Sequence, residues 1–62
     1  MKETLLERVE LNHHEAKIIT MRMGKNFKEF ITYYVDKNDN RFCGKYFTKL
    51  VDAVKHFEEV MV

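Results

Sequence analysis

The run Phe27-Lys28-Glu29-Phe30-Ile31-Thr32-Tyr33-Tyr34-Val35 constrains this chain more than any other stretch. Aromatic and β-branched side chains are costly to order in a helix and pack well on a pleated surface, so the run reads as a strand. In extended chain Phe27, Ile31, Tyr33 and Val35 fall on one face, with Phe30, Thr32 and Tyr34 on the other.

The neighbouring segments continue the pattern. After Asp36-Lys37-Asn38-Asp39-Asn40, whose Asn and Asp residues tolerate left-handed backbone, Arg41-Phe42-Cys43-Gly44-Lys45-Tyr46-Phe47 resumes β character. Before it, Ala16 to Met23 has two Ile and a Thr and reads as another strand, separated by the turn residues Gly24-Lys25-Asn26. Residues 4–11, TLLERVEL, alternate as a strand would, although Leu5, Leu6 and Val9 also fit a short helical stripe; strand is preferred.

Past Thr48, a candidate N-cap, Leu50, Val54, Phe57 and Met61 recur at helical spacing, flanked by Val51, Ala53 and Val60. The expected fold class is α+β: a three- to four-stranded antiparallel meander with one C-terminal helix packed on one face, residues 1–62 forming a single domain. The helix residues Leu50, Val54, Phe57 and Met61 are expected to lie against Ile19, Ile31, Tyr33 and Phe47.

A chain of 62 residues buries only about 60% of the surface its unfolded form exposes, so support from a partner or a second copy is expected. Disulfide support is excluded within one chain because Cys43 stands alone. That single cysteine fits a reducing, cytoplasmic setting, and Cys43 itself reads as a small buried strand residue. The charged start MKETLLERVE offers neither a signal peptide nor a membrane span.

Asp36, Asn38 and Asn40 match positions one, three and five of a calcium loop. Arg41 stands where the sixth position needs Gly and Phe47 where the twelfth needs Glu, so the stretch reads as a hairpin loop. His13, His14 and Glu15, with His56 or Cys43, lack ligand spacing for zinc, and no acid and base or nucleophile pair is placed by the pattern. No catalytic residue, metal, cofactor, small-molecule substrate or enzyme activity is therefore expected.

The candidate binding residues are Lys28, Phe30, Tyr34, Arg41, Phe42, Lys45 and Tyr46. These aromatics, interleaved with basic side chains on two adjoining strands, are expected on the sheet face away from the helix. Such a face stacks the bases of nucleic acid or docks a protein. A net charge of +1 withholds the electrostatic term that drives nucleic-acid affinity, so the preferred function is protein–protein interaction, with self-association as a homodimer and nucleic-acid binding as the alternative. Stand-alone chains of this size and density resemble regulators or inhibitors encoded by bacteriophages and mobile elements, which act by blocking or remodelling a host protein.

From Phe30 to Phe57 the order strand, polar turn, strand with Gly44, Phe47, then Ala53 and Phe57 on a helix resembles a known plan. It is similar to the three-stranded-sheet-plus-helix DNA-binding domain at the N-terminus of tyrosine integrases and in plant ethylene-response factors. In that family a Gly-x-Phe ends the last strand, and an Ala and an aromatic of the helix face the sheet. The resemblance implies that Ala53 and Phe57 pack on the sheet, and it implies DNA binding by the sheet. Here Gly44-Lys45-Tyr46-Phe47 is one residue longer than the family motif, and the strands lack the family's Arg and Trp density.

Overall fold

A computed structural model of the chain describes residues 2–12 and 15–59. Four strands, β1 (Lys2–Glu10), β2 (Ala16–Met23), β3 (Lys28–Val35) and β4 (Arg41–Phe47), precede one helix, α1 (Leu50–Glu59). The strands form one antiparallel sheet in chain order, a meander with β1 and β4 at its edges. The α+β meander read from the sequence is the fold, with four strands rather than three.

The connections on either side of β3 are closed by the residues that stand in them. Between β3 and β4 the Asp36 and Asn40 backbones still pair (Asp36 N to Asn40 O, 3.1 Å), so the loop proper is Lys37-Asn38-Asp39. Asp39 takes the left-handed conformation (φ 63°) that a three-residue hairpin loop requires. The Asp36 carboxylate accepts backbone N–H bonds from Asn38 (2.8 Å) and Asn40 (3.0 Å), so its oxygens are spent on the turn. Gly24 does not have positive φ; a Cβ there would fall 1.9 Å from the Phe27 ring, so close approach rather than left-handed backbone is what this glycine allows. Phe27 itself lies ahead of β3 and is exposed.

The sheet has an apolar cluster on each side. On the helix side Ile19, Phe30, Ala53 and Phe57 are buried together, with Val9, Met21, Phe47 and Val54 packed around them. On the open side Ala16, Ile18, Ile31, Tyr33 and Val35 form a second cluster without help from the helix. Full burial of a side chain the size of Ile19, Phe30 or Phe57 contributes about 1.5–3 kcal/mol each, so the two layers are comparable in weight.

This arrangement corrects the expected facing of β3. Its side chains alternate between the faces as expected, but Phe30 and Tyr34 belong to the helix side, while Ile31 and Tyr33 belong to the open side. Because both faces of β3 are apolar, periodicity alone does not say which one the helix covers; the path of the chain from β4 into α1 decides it. The helix stripe is also rotated from expectation: Ala53 and Phe57 are buried, Val54 is half-buried, and Leu50 and Val51 are exposed. Met61, like Val60, lies outside the described residues. The helix begins at Leu50, with the Ala53 N–H bonded to Lys49 O (3.2 Å), so Lys49 rather than Thr48 stands at its first carbonyl.

Each edge strand carries a bulge. In β1, Leu5 pairs with Thr20 and Glu7 with Ile19, leaving Leu6 as the extra residue. In β4, Phe42 pairs with Tyr34 and Lys45 with Thr32, so Cys43 and Gly44 together oppose Tyr33. Cys43 takes the positive φ there (56°) and is exposed, not the buried strand residue expected.

Bulges increase local twist, and the sheet is strongly coiled. Glu3 sits at the end of the register marked by Arg22 and Glu29, and Arg41 at the opposite end, across from Val35. In a flat sheet β1 and β4 would also be about 14 Å apart. Yet Arg41 Nη1 reaches Glu3 Oε2 at 3.3 Å, which requires these diagonal corners to curl toward each other over the open face.

Candidate protein-binding surface

The seven residues singled out from the sequence do not form one surface. Phe30 is buried under the helix. Tyr34 stacks on Phe42 with ring centroids 5.5 Å apart, and both face the helix side together with the exposed Lys28 and Lys45. Arg41 and Tyr46 face the open side. The reason is the β4 bulge: Phe42 and Tyr46 are four residues apart and would share a face in a regular strand, but the extra residue moves them to opposite faces. The expected aromatic and basic platform is thereby divided between two sides of the sheet.

The open side gathers all three arginines of the chain, and each is engaged by a carboxylate. Arg8 bonds Glu10 (2.7 Å), Arg22 pairs with Glu29, and Arg41 pairs with Glu3. Arg41 also lies 4.3 Å over the Tyr33 ring, and Arg22 lies 5.6 Å from the ring of Tyr46. Thr20 donates its hydroxyl to the same Glu3 oxygen at 2.8 Å. Burial pushes the Tyr33 phenol above its ordinary pKa, and the Arg41 guanidinium opposes that rise. Beneath this lattice Glu3, Leu5, Arg8, Ile18, Thr20, Tyr33 and Arg41 line a cleft of about 340 Å³.

The helix side has a cleft of its own. α1 lies over β2, β3 and β4, which leaves a groove of about 380 Å³ between the helix and β1, lined by Glu7, Val9, Lys17, Ile19, Val54, Phe57 and Glu58. Lys17, only 5% exposed, closes one end of it by donating from Nζ to the Phe57 carbonyl oxygen at 2.8 Å, with its ammonium 4.6 Å from the Phe57 ring centroid.

β1 divides these two clefts and is itself bare. Of its residues only Val9 is even half-buried; Leu5 is 58% and Leu6 43% exposed, and among the described residues no strand lies along its outer edge. A nine-residue edge strand with adjacent exposed leucines and no proline offers a second chain a ladder to pair with, guarded only in part by its charged residues and by the bulge at Leu6. These β1 residues were not among those read from the sequence as functional. The signal that marks them is topological: in a meander the first strand has one neighbour, so apolar residues on it at adjacent positions have no second strand to cover them.

Among the described residues no three His, Cys, Asp or Glu side chains come together as metal ligands would. His13 and His14, considered for zinc, lie outside the described residues. No described helix is long and apolar enough to cross a membrane. Compared with protein family models, curated proteins and solved structures, the chain matches none of them.

Proposed function

We propose that this chain is a small non-catalytic binding module that docks through β1 on a protein partner, a second copy of itself included. The observation that carries the reading is the bare edge: a nine-residue strand with no neighbour on its outer side among the described residues, exposed Leu5 and Leu6, and a cleft on each side into which a partner's side chains would reach. A partner strand added to β1 would satisfy the outward backbone groups, and side chains over the two clefts would supply selectivity. Such binding acts by occlusion of the partner's surface, as expected of a small regulator or inhibitor, and needs no cofactor.

The reading is favoured over nucleic-acid binding by the state of the cations and aromatics. The three arginines on the open face are matched by Glu3, Glu10 and Glu29, which leaves that face without surplus positive charge for phosphates. Of the aromatics meant to stack bases, Phe30 is buried and Tyr34 and Phe42 stack on each other.

A photo-crosslinking side chain at Leu6, introduced into the full chain and irradiated in cells, tests the proposal. Expected are discrete protein adducts that disappear when Leu5 is replaced by Asp. Adducts to nucleic acid instead, or fluorescence-polarisation binding to an oligonucleotide that collapses with added salt, would overturn it.

A further inference from the structure

We infer that the partner of β1 is β1 of a second copy, joined antiparallel across a two-fold axis that passes between Leu5 and Leu6. The inference rests on the reading of β1 as a docking edge and names its occupant. It is carried by the bulge together with the charge order along the strand.

The faces of β1 follow from its partners on β2. Lys2, Thr4, Glu7 and Val9 lie on the helix side, and Glu3, Leu5, Arg8 and Glu10 on the open side, because the extra residue Leu6 reverses the alternation at mid-strand. When two copies join edge to edge about an axis normal to the sheet, helix side meets helix side, so facing residues must come from the same face. The bulge leaves a small set of registers that obey this rule.

One of them pairs Lys2 with Val9 of the second copy, Glu3 with Arg8, Thr4 with Glu7 and Leu5 with Leu6. Every pairing occurs twice by symmetry, so the dimer holds two Glu3–Arg8 contacts across strands, made through Glu3 Oε1 and the terminal nitrogens of Arg8 because Oε2 and Nε already serve Arg41, Thr20 and Glu10 within the chain, and a central cluster of four leucines drawn from the most exposed apolar part of the strand. The next allowed register sets Glu3 against Glu10 and Leu5 against Arg8, which is repulsive. The one on the other side sets Thr4 against Thr4 and Glu3 against Leu5, which shortens the ladder to residues 2–6 and loses the Glu–Arg pairs. Charge and apolar order therefore select a single register, and without the bulge Glu3 and Arg8 would stand on opposite faces.

The other edge is less suited. β4 is seven residues long, its bulge holds Cys43 in left-handed backbone, and it leads directly into α1. Pairing through β1 alone is closed: it yields an eight-stranded sheet with a β4 at each end and does not propagate.

The test uses the full chain with Cys43→Ser, so that its exposed thiol does not interfere, and adds a cysteine at Thr4 in one sample and at Glu7 in another. Sedimentation of the parent chain over a dilution series should give twice the chain mass. Under mild oxidation a mixture of Thr4→Cys and Glu7→Cys chains should crosslink several-fold more than either alone, because Thr4 faces Glu7, not Thr4, of the second copy. A dimer whose crosslinking is the same in the mixture and in the single samples overturns the inferred interface, as does a chain that stays monomeric. In the monomeric case, adducts from Leu6 to a different protein would leave the docking edge standing and remove only its self-pairing; no adducts at all would remove both.

Discussion

Lys17, in the second strand, reaches the last described turn of the helix and donates from Nζ to the Phe57 carbonyl oxygen at 2.8 Å. A cation bonded to a helix carbonyl makes a charge-assisted hydrogen bond and is favoured toward the negative, C-terminal side of the helix dipole. The stem of Lys17 is buried beside the Phe57 ring, and Met in its place would keep that apolar packing while deleting the donor. Lys17→Met is therefore expected to lower stability by about 1.5–3 kcal/mol, the range for a lost charge-assisted bond, with faster amide exchange concentrated in α1. Urea denaturation with hydrogen exchange reads both; an unchanged midpoint would show that the ammonium merely fills space.

Thr32 presents the opposite case. Its hydroxyl is buried on the helix side of the sheet, between Ile19 and Lys45 in the ladder, and has no hydrogen-bond partner among the described residues. An unsatisfied buried hydroxyl costs free energy that an isosteric methyl does not. Thr32→Val should raise stability by about 1 kcal/mol in chemical denaturation, and a loss of that size would mean that the hydroxyl is satisfied in solution by water.

The sheet was legible because periodicity and turn chemistry are local. FKEFITYYV is dense in aromatic and β-branched residues, and Asp36 and Asn40 sit where a hairpin needs them. What periodicity does not carry is facing. β3 is apolar on both sides, so the helix could as well have covered Ile31 and Tyr33 as Phe30 and Thr32, and only the chain path after β4 breaks the tie. Bulges are similarly hidden, since one extra residue leaves composition unchanged yet moves Tyr46 to the other side from Phe42 and Arg8 to the side of Leu5. The predicted binding set failed to assemble for that reason. β1 was missed for another: its exposure depends on having a single neighbour, which is a property of the whole meander.

Cys43 adopts left-handed backbone at the β4 bulge, whereas Gly44, beside it, does not. A residue with a Cβ pays a strain of about 1 kcal/mol in that region, and a β-branched one pays more. Cys43→Gly should be neutral to stabilising, its relief of strain offset by the greater freedom of glycine in the unfolded chain, while Cys43→Val should destabilise by about 1–2 kcal/mol. Thermal unfolding of the two variants separates them; the reverse order would mean that the bulge rearranges when its residue is changed. Gly44 tolerates Ala in the same experiment, because nothing lies within 4 Å of where its Cβ would be.

The hairpin between β3 and β4 should respond to acid through Asp36. Backbone N–H groups of Asn40 and then Asn38 hold its carboxyl below the ordinary value of 3.8. A carboxyl whose folded pKa is depressed binds protons more weakly in the folded chain than in the unfolded one, so its contribution is complete above the unfolded value and is lost as pH falls through the folded one. Asp36→Asn keeps an oxygen for the same N–H donors but does not titrate. In a series of denaturation curves at falling pH, the parent chain should lose stability faster than Asp36→Asn below about pH 4, the ordinary carboxylate range, and the two should run parallel at neutral pH. NMR titration of the Asn38 and Asn40 amides locates the change: in the parent chain they shift as Asp36 protonates, and in Asp36→Asn they stay put. Parallel curves throughout the acid range would show that the loop is held by its backbone pair, Asp36 N to Asn40 O, without the carboxylate.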